Sequence, residues 1–288
     1  MYQQFDPPED LKHLVCFFYA MEHREEDGAM QPLLPSCTEI MGWQYTGNWE
    51  LKYQTKNEAF DYTLPDFYTI GQQTVGYTLS CKGSAGICGA TLQPGSLWQI
   101  FKIPANHFTN CTIPTELLFS CIKTELPIST YKACTTIEQR LDVLIDFYRW
   151  LNEEITFEYS LVDEVLKLIY QHRGCITIKD VCSRMKINER YLERHFKNRI
   201  GITPTQYIKM LRFNNLFLEI INTNGKQNLE ALAMLYNYYD LSHFHKEYKY
   251  YFNTSPGQFA LERFKLLKDL ISTKPYLLEV QQQHITNI

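Results

Sequence analysis

The sequence predicts an α+β chain: a β-rich barrel or sandwich at the amino end, then an all-α region holding two helix-turn-helix units. Three observations predict it. Residues 1–135 carry short apolar and aromatic runs punctuated by Gly and Pro; from residue 137 the apolar period becomes helical; from residue 175 the helical pattern repeats itself. With 288 residues, and about 100–200 residues per domain, two domains are expected. The expected divisions are a sensor or dimerisation domain at 1–135, a helical linker at 136–174, a double helix-turn-helix module at 175–265 and a tail at 266–288.

The strand region comes first. WQYTGNWELKY (43–53) alternates apolar positions around a TGN turn, the pattern of a hairpin. FYTIGQQTVGYTLSCKG (67–83) is β-branched and aromatic, broken by glycines. In SAGICGATLQPGSLWQIFKIP (84–104), Pro94-Gly95 is a turn signal before the apolar run LWQIFKI. Short strands with such punctuation suit a barrel or sandwich.

Helical spacing then takes over. Ile137, Leu141, Leu144, Ile145, Tyr148 and Leu151 form one apolar stripe. A second helix from Leu161 to His172 carries Leu161, Val165, Leu168 and Ile169, and Gly174 closes it. These stripes can bury against their own chain or against a second copy; burial against their own chain is the default.

From residue 175 two units of about 50 residues stand in tandem. Tyr191-Leu192-Glu193-Arg194-His195-Phe196-Lys197 aligns with His243-Phe244-His245-Lys246-Glu247-Tyr248-Lys249 at an offset of 52, and Gly201-Ile202-Thr203-Pro204 aligns with Asn253-Thr254-Ser255-Pro256 at the same offset. In the first unit Thr177 and Asp180 read as a capping box. A tight turn follows at Lys186-Ile187, Asn188 caps a helix over 189–199, and Thr203-Pro204 starts another. In the second, a helix over 229–236 leads to a turn at Asn237, Asp240 caps a helix over 241–252, and Ser255-Pro256 starts the last helix. Two short helices joined by a tight turn form a helix-turn-helix.

Helical geometry sorts the second helix of each pair. Leu192 and Phe196 point inward, while Asn188, Arg190, Glu193, Arg194 and Lys197 point out. Phe244 and Tyr248 point inward, while Leu241, Ser242, His245, Lys246 and Lys249 point out. The outward sets match what base edges require: Arg bridges guanine O6 and N7, Glu accepts from cytosine N4, and Ser or His donates. Lys197, Arg199 and Lys249, later in each helix, are expected at phosphates.

Charge sharpens this division. The chain is net −4, which alone argues against a polyanion partner. Residues 1–174, however, hold 12 basic and 22 acidic side chains, whereas residues 175–265 hold 14 basic and 8 acidic. A basic module thus follows an acidic one, and the basic module holds the repeats.

Other functions find little support. The nine cysteines are scattered singly, which suits reduced thiols rather than a disulfide framework or a zinc site. His243-Phe244-His245 is the single H-x-H, and on a helix its two imidazoles point to different sides; His107 is isolated. No metal, catalytic residue, cofactor or enzyme activity is expected, and no P-loop, GxSxG or dinucleotide fingerprint occurs. No leader or membrane-spanning run is read, so a cytoplasmic location is expected.

The repeats resemble the AraC/XylS family of bacterial transcription regulators. Val181-Cys182, Tyr191 through Lys197, Gly201-Ile202-Thr203-Pro204, Tyr207, Arg212-Phe213 and Tyr238-Tyr239-Asp240-Leu241-Ser242-His243-Phe244 carry the likeness, over residues 170–264. Lys186, Asn237 and Asn253 stand where the family usually has Gly. The resemblance implies double-stranded DNA as partner, with the two recognition helices in successive major grooves. It also implies a cupin-like amino-terminal domain, with PPEDLKHLVCFFY and GATLQPGSLWQIFKIP as the points of likeness. A small-molecule effector, a homodimer and, for an activator, RNA polymerase are further partners of such proteins. The alternative is a cupin-like small-molecule-binding or protein-interaction module that does not bind DNA.

Overall fold

In the computed structural model, residues 1–24, 31–54, 59–120, 126–254 and 261–273 are described. Ten strands form the amino-terminal region: β1 (Tyr2–Phe5), β2 (Val15–His23), β3 (Gln31–Leu33), β4 (Glu39–Thr46), β5 (Trp49–Gln54), β6 (Ala59–Thr63), β7 (Phe67–Ile70), β8 (Tyr77–Cys81), β9 (Ala85–Leu92) and β10 (Thr112–Pro114). They build two sheets, ordered β1-β2-β9-β4-β7-β10 and β3-β8-β5-β6, with every pairing antiparallel. Among the described residues no ladder joins the two sheets, so the region is a sandwich and not a closed barrel.

The period-two alternation of strands places the core. Phe17, Tyr19 and Met21 of β2 face inward between the sheets, with Leu51, Leu79 and Ile87. Phe18 and Ala20 of the same strand face the opposite side, with Trp43, Phe67 and Cys88. Helices cover that second face: α1 (Ser96–Phe101), α2 (Thr115–Ser120), α3 (Ile128–Ala133) and α4 (Ile137–Glu154). The α4 stripe is buried there through Leu141, Leu144, Tyr148 and Leu151. α5 (Leu161–Gln171) instead buries Val162, Val165, Leu166 and Ile169 among the helices that follow. Both stripes therefore bury against their own chain.

Two expectations in the strand region fail. Residues 43–53 are not a hairpin, because β4 lies in the six-stranded sheet and β5 in the four-stranded one. Gly47, at φ 64°, turns the chain from one sheet to the other. The buried Gln44 side chain bridges the crossing, donating to Leu64 O at 2.7 Å and accepting from Trp49 N at 2.9 Å. The run LWQIFKI forms the helix α1 rather than a strand. Its first amides are satisfied from afar: the Glu39 carboxylate accepts from Gly95 N at 3.3 Å and Leu97 N at 2.7 Å. Short apolar runs do not separate strand from helix by period.

Candidate nucleic-acid interface

The first unit folds from its caps. Thr177 and Asp180 form a reciprocal capping box on α6 (Ile178–Met185). Lys186 then takes the left-handed conformation at φ 53°, a region that favours Gly, and its N–H closes the helix end. Asn188 Oδ1 accepts from Arg190 N at 2.8 Å and starts α7 (Glu189–Ile200). The second unit repeats the plan with α9 (Leu229–Leu235), a left-handed Asn237 at φ 58°, and Asp240 accepting from His243 N at 2.7 Å to start α10 (Leu241–Phe252). The expected start at Ser255-Pro256 lies outside the described residues.

Between the units runs α8 (Pro204–Asn222), entered through a Thr203–Gln206 capping box with Pro at its first turn. At 1.5 Å per residue its 19 residues span about 28 Å. Phe196 of α7 meets Tyr207 of α8 at 5.6 Å between ring centroids. Phe213 meets Phe244 at 5.9 Å and Tyr251 at 4.5 Å on α10. One long helix, buried on most of its faces, therefore holds both second helices in a common core.

The opposite faces are open. Asn188, Arg190, Glu193, Arg194 and Lys197 are all exposed. So are Ser242, Lys246 and Lys249, while Leu241 and His245 are half-buried. Among the described residues, none of Arg190, Arg194, Lys197, Lys246 and Lys249 has a carboxylate within 4.0 Å. Arg194 rests over the Tyr191 ring at 5.8 Å. Five cations with no counter-charge among the described residues, on two repeated helices, form an electropositive surface suited to phosphates and base edges.

Residues 181–261 match a family model described as a helix-turn-helix domain. Residues 3–114 match a second model, a domain of unknown function (DUF6597). Among solved structures, ToxT from Vibrio cholerae is 14% identical over 86% of this chain and 98% of its own, with a TM-score of 0.46. ToxT with an unsaturated fatty acid bound is 15% identical over 86% and 95%, at 0.45. The AraC-like transcriptional activator CuxR is 12% identical over 73% and 79%, at 0.26. No curated protein matches the chain. The match over residues 181–261 gives this part of the chain a helix-turn-helix domain.

Arg199 corrects the sequence reading. The side chain expected at a phosphate is 5% exposed and turned into the flank of the helix-turn-helix module. It pairs with Asp163 of α5 at 3.1 Å, donates to Glu158 O, and lies over Trp98 at 4.9 Å. Gly201, next along, explains the turn inward. At φ 95° it takes a conformation that favours glycine, and an added Cβ would sit 2.6 Å from Thr109 Oγ1 and 2.8 Å from Ala105 O. The end of α7 is thus docked on the amino-terminal region, and the Thr109 hydroxyl donates to Gly201 O at 2.9 Å.

A second group was missed by sequence reasoning. Arg212 of α8 pairs with Glu247 of α10 at 2.8 Å and lies 4.3 Å from the Tyr238 ring, while the Tyr238 hydroxyl donates to Glu247 at 2.6 Å. Burial, with Glu247 adding to it, raises the Tyr238 pKa and keeps its hydroxyl a donor. The signal was available: Glu247 is three residues from Phe244 and so shares its inward flank. This network ties the second recognition helix to the connecting helix. Among the described residues no group of three or more His, Cys, Asp or Glu side chains could hold a metal, and no helix is long and apolar enough to cross a membrane.

Proposed function

We propose that the chain is a cytoplasmic, sequence-specific regulator of transcription that inserts α7 and α10 into successive major grooves of duplex DNA. Asn188, Arg190, Glu193, Arg194, Leu241, Ser242, His245 and Lys246 face base edges in this reading, and Lys197 and Lys249 meet phosphates. The observation that carries it is the set of five exposed cations with no carboxylate partner among the described residues, presented by two repeated helices on the shared α8. The amino-terminal sandwich supplies control, through a bound effector or a second copy of the chain.

An electrophoretic mobility shift with the chain's own upstream DNA, at two salt concentrations, tests the proposal. Affinity should fall steeply as salt rises, because each neutralised phosphate releases counterions. A folded chain that shifts no duplex at low salt would leave an interaction module without DNA binding.

A further inference from the structure

The two units differ at the turn before the second helix. Both turns pass through a left-handed residue, Lys186 at φ 53° and Asn237 at φ 58°. In the first unit one residue, Ile187, separates it from the N-cap Asn188; in the second, Tyr238 and Tyr239 separate it from the N-cap Asp240. Ile187 is half-buried, and Tyr238 is buried with its hydroxyl on Glu247. Tyr239 is the added residue. It is 90% exposed, more than any other large apolar side chain among the described residues. It makes no hydrogen bond or ring contact among them. An aromatic ring left in water forgoes the burial that its large area otherwise brings.

The position of this ring carries the argument. A recognition helix enters the major groove by its N-terminal residues. Tyr239 directly precedes the N-cap of α10, so it stands at the leading end of that helix. Half-buried Leu241 and exposed Ser242 follow it, with exposed Lys246 one turn after Ser242. The leading end of α7 offers charge instead: Glu189 and Arg190, then Glu193 and Arg194 one turn on, all exposed. Base edges answer these two chemistries differently. Arginine bridges guanine O6 and N7 and glutamate accepts from cytosine N4, whereas an apolar side chain meets the C5-methyl group of thymine.

We propose that Tyr239 is a specificity-determining residue of the second unit, its ring packed on a thymine methyl at the step where α10 enters the groove. The α10 half of the site then requires a T·A pair at that step, while the α7 half is read at G·C pairs. This role rests on the regulator reading and falls on a residue outside both recognition helices. Lys249, exposed and with no carboxylate partner among the described residues, supplies the phosphate contact that holds α10 against the groove. The methyl group alone separates thymine from uracil, so the contact can be removed without changing base pairing or backbone charge.

Mobility shifts of the full chain on a duplex it selects from random sequence, with each thymine replaced in turn by deoxyuridine, test the proposal. Affinity should fall roughly fourfold, the worth of one buried methyl group, where one or two thymines in one half of the site lose their methyl. The other thymines should be indifferent. Tyr239→Ala should bind the parent duplex about as weakly as the native chain binds the uracil duplex and should no longer distinguish the two, whereas Tyr239→Phe should keep the full ratio. Circular dichroism checks the fold of each variant, which replacement of so exposed a side chain leaves intact. A native chain that shifts the duplex but is indifferent to uracil at every position overturns the inference and leaves the regulator reading intact. A Tyr239→Ala variant that keeps the ratio does the same. A folded chain that selects and shifts no duplex sinks the regulator reading and the role of Tyr239 with it.

Discussion

Replacing Arg199 with methionine separates a structural cation from a DNA-binding one. The substitution keeps the length of the side chain and removes three interactions: the ion pair to Asp163 at 3.1 Å, the bond to Glu158 O, and the stack on Trp98 at 4.9 Å. The side chains of the pair are 6% and 17% exposed. Breaking a buried pair by removing one partner costs about 3–5 kcal/mol, because the remaining charge is left uncompensated. Partial wetting of Asp163 places the expected loss near the lower end, about 3 kcal/mol. A native chain with about 5–15 kcal/mol of stability absorbs that and still folds. Urea unfolding followed by circular dichroism reads the loss, and DNA affinity across salt concentrations reads the other role. A lost phosphate contact lowers the slope of log affinity against log salt by about 0.9. The expected result is a loss near 3 kcal/mol with the slope unchanged. Unchanged stability with a slope lower by about 0.9 would refute the buried assignment.

Lys186→Gly relieves a left-handed lysine at φ 53°; set against the greater freedom of glycine in the unfolded chain, a gain of about 0.5–1 kcal/mol is expected in chemical denaturation, with DNA affinity unchanged. Arg194→Ala and Lys246→Ala should each cost about 1–3 kcal/mol in binding and relax base preference, read by mobility shift on a panel of single-base variants; uniform weakening across the panel would place them on phosphates. Burial raises the Glu39 pKa to about 8 from an ordinary 4.5, against the opposing pull of the amides it caps. The folded chain thus holds the proton more tightly, so the stability this group contributes is full below about pH 4.5 and is lost as pH rises toward 8. Glu39→Gln should flatten that part of the stability–pH curve; an unchanged curve would show that Glu39 is ionised in the fold.

The helix-turn-helix units were legible because local signals and global fold agree there. Asn188 and Asp240 cap the helices that spacing predicts, and the inward pairs Leu192–Phe196 and Phe244–Tyr248 are buried. Where reading failed, a residue distant in sequence decided. Glu39 satisfies the amides that make residues 96–101 a helix, and Gln44 carries the chain between sheets where a hairpin was expected. Arg199 misled because helical periodicity separates faces but does not reveal which face a neighbouring domain covers. Lys197, two residues earlier, is exposed, whereas Asp163 and Trp98 draw Arg199 inward from elements more than thirty residues away.

Methylation protection on a duplex selected by the full chain tests the central claim most directly, because guanine N7 is reached only through the major groove. The expected pattern is two clusters of protected guanines about 10–10.5 base pairs apart on one side of the helix, one for α7 and one for α10. A single cluster would contradict the paired insertion of the two helices, and a folded chain that protects no guanine on any selected duplex would contradict the DNA-binding reading as a whole.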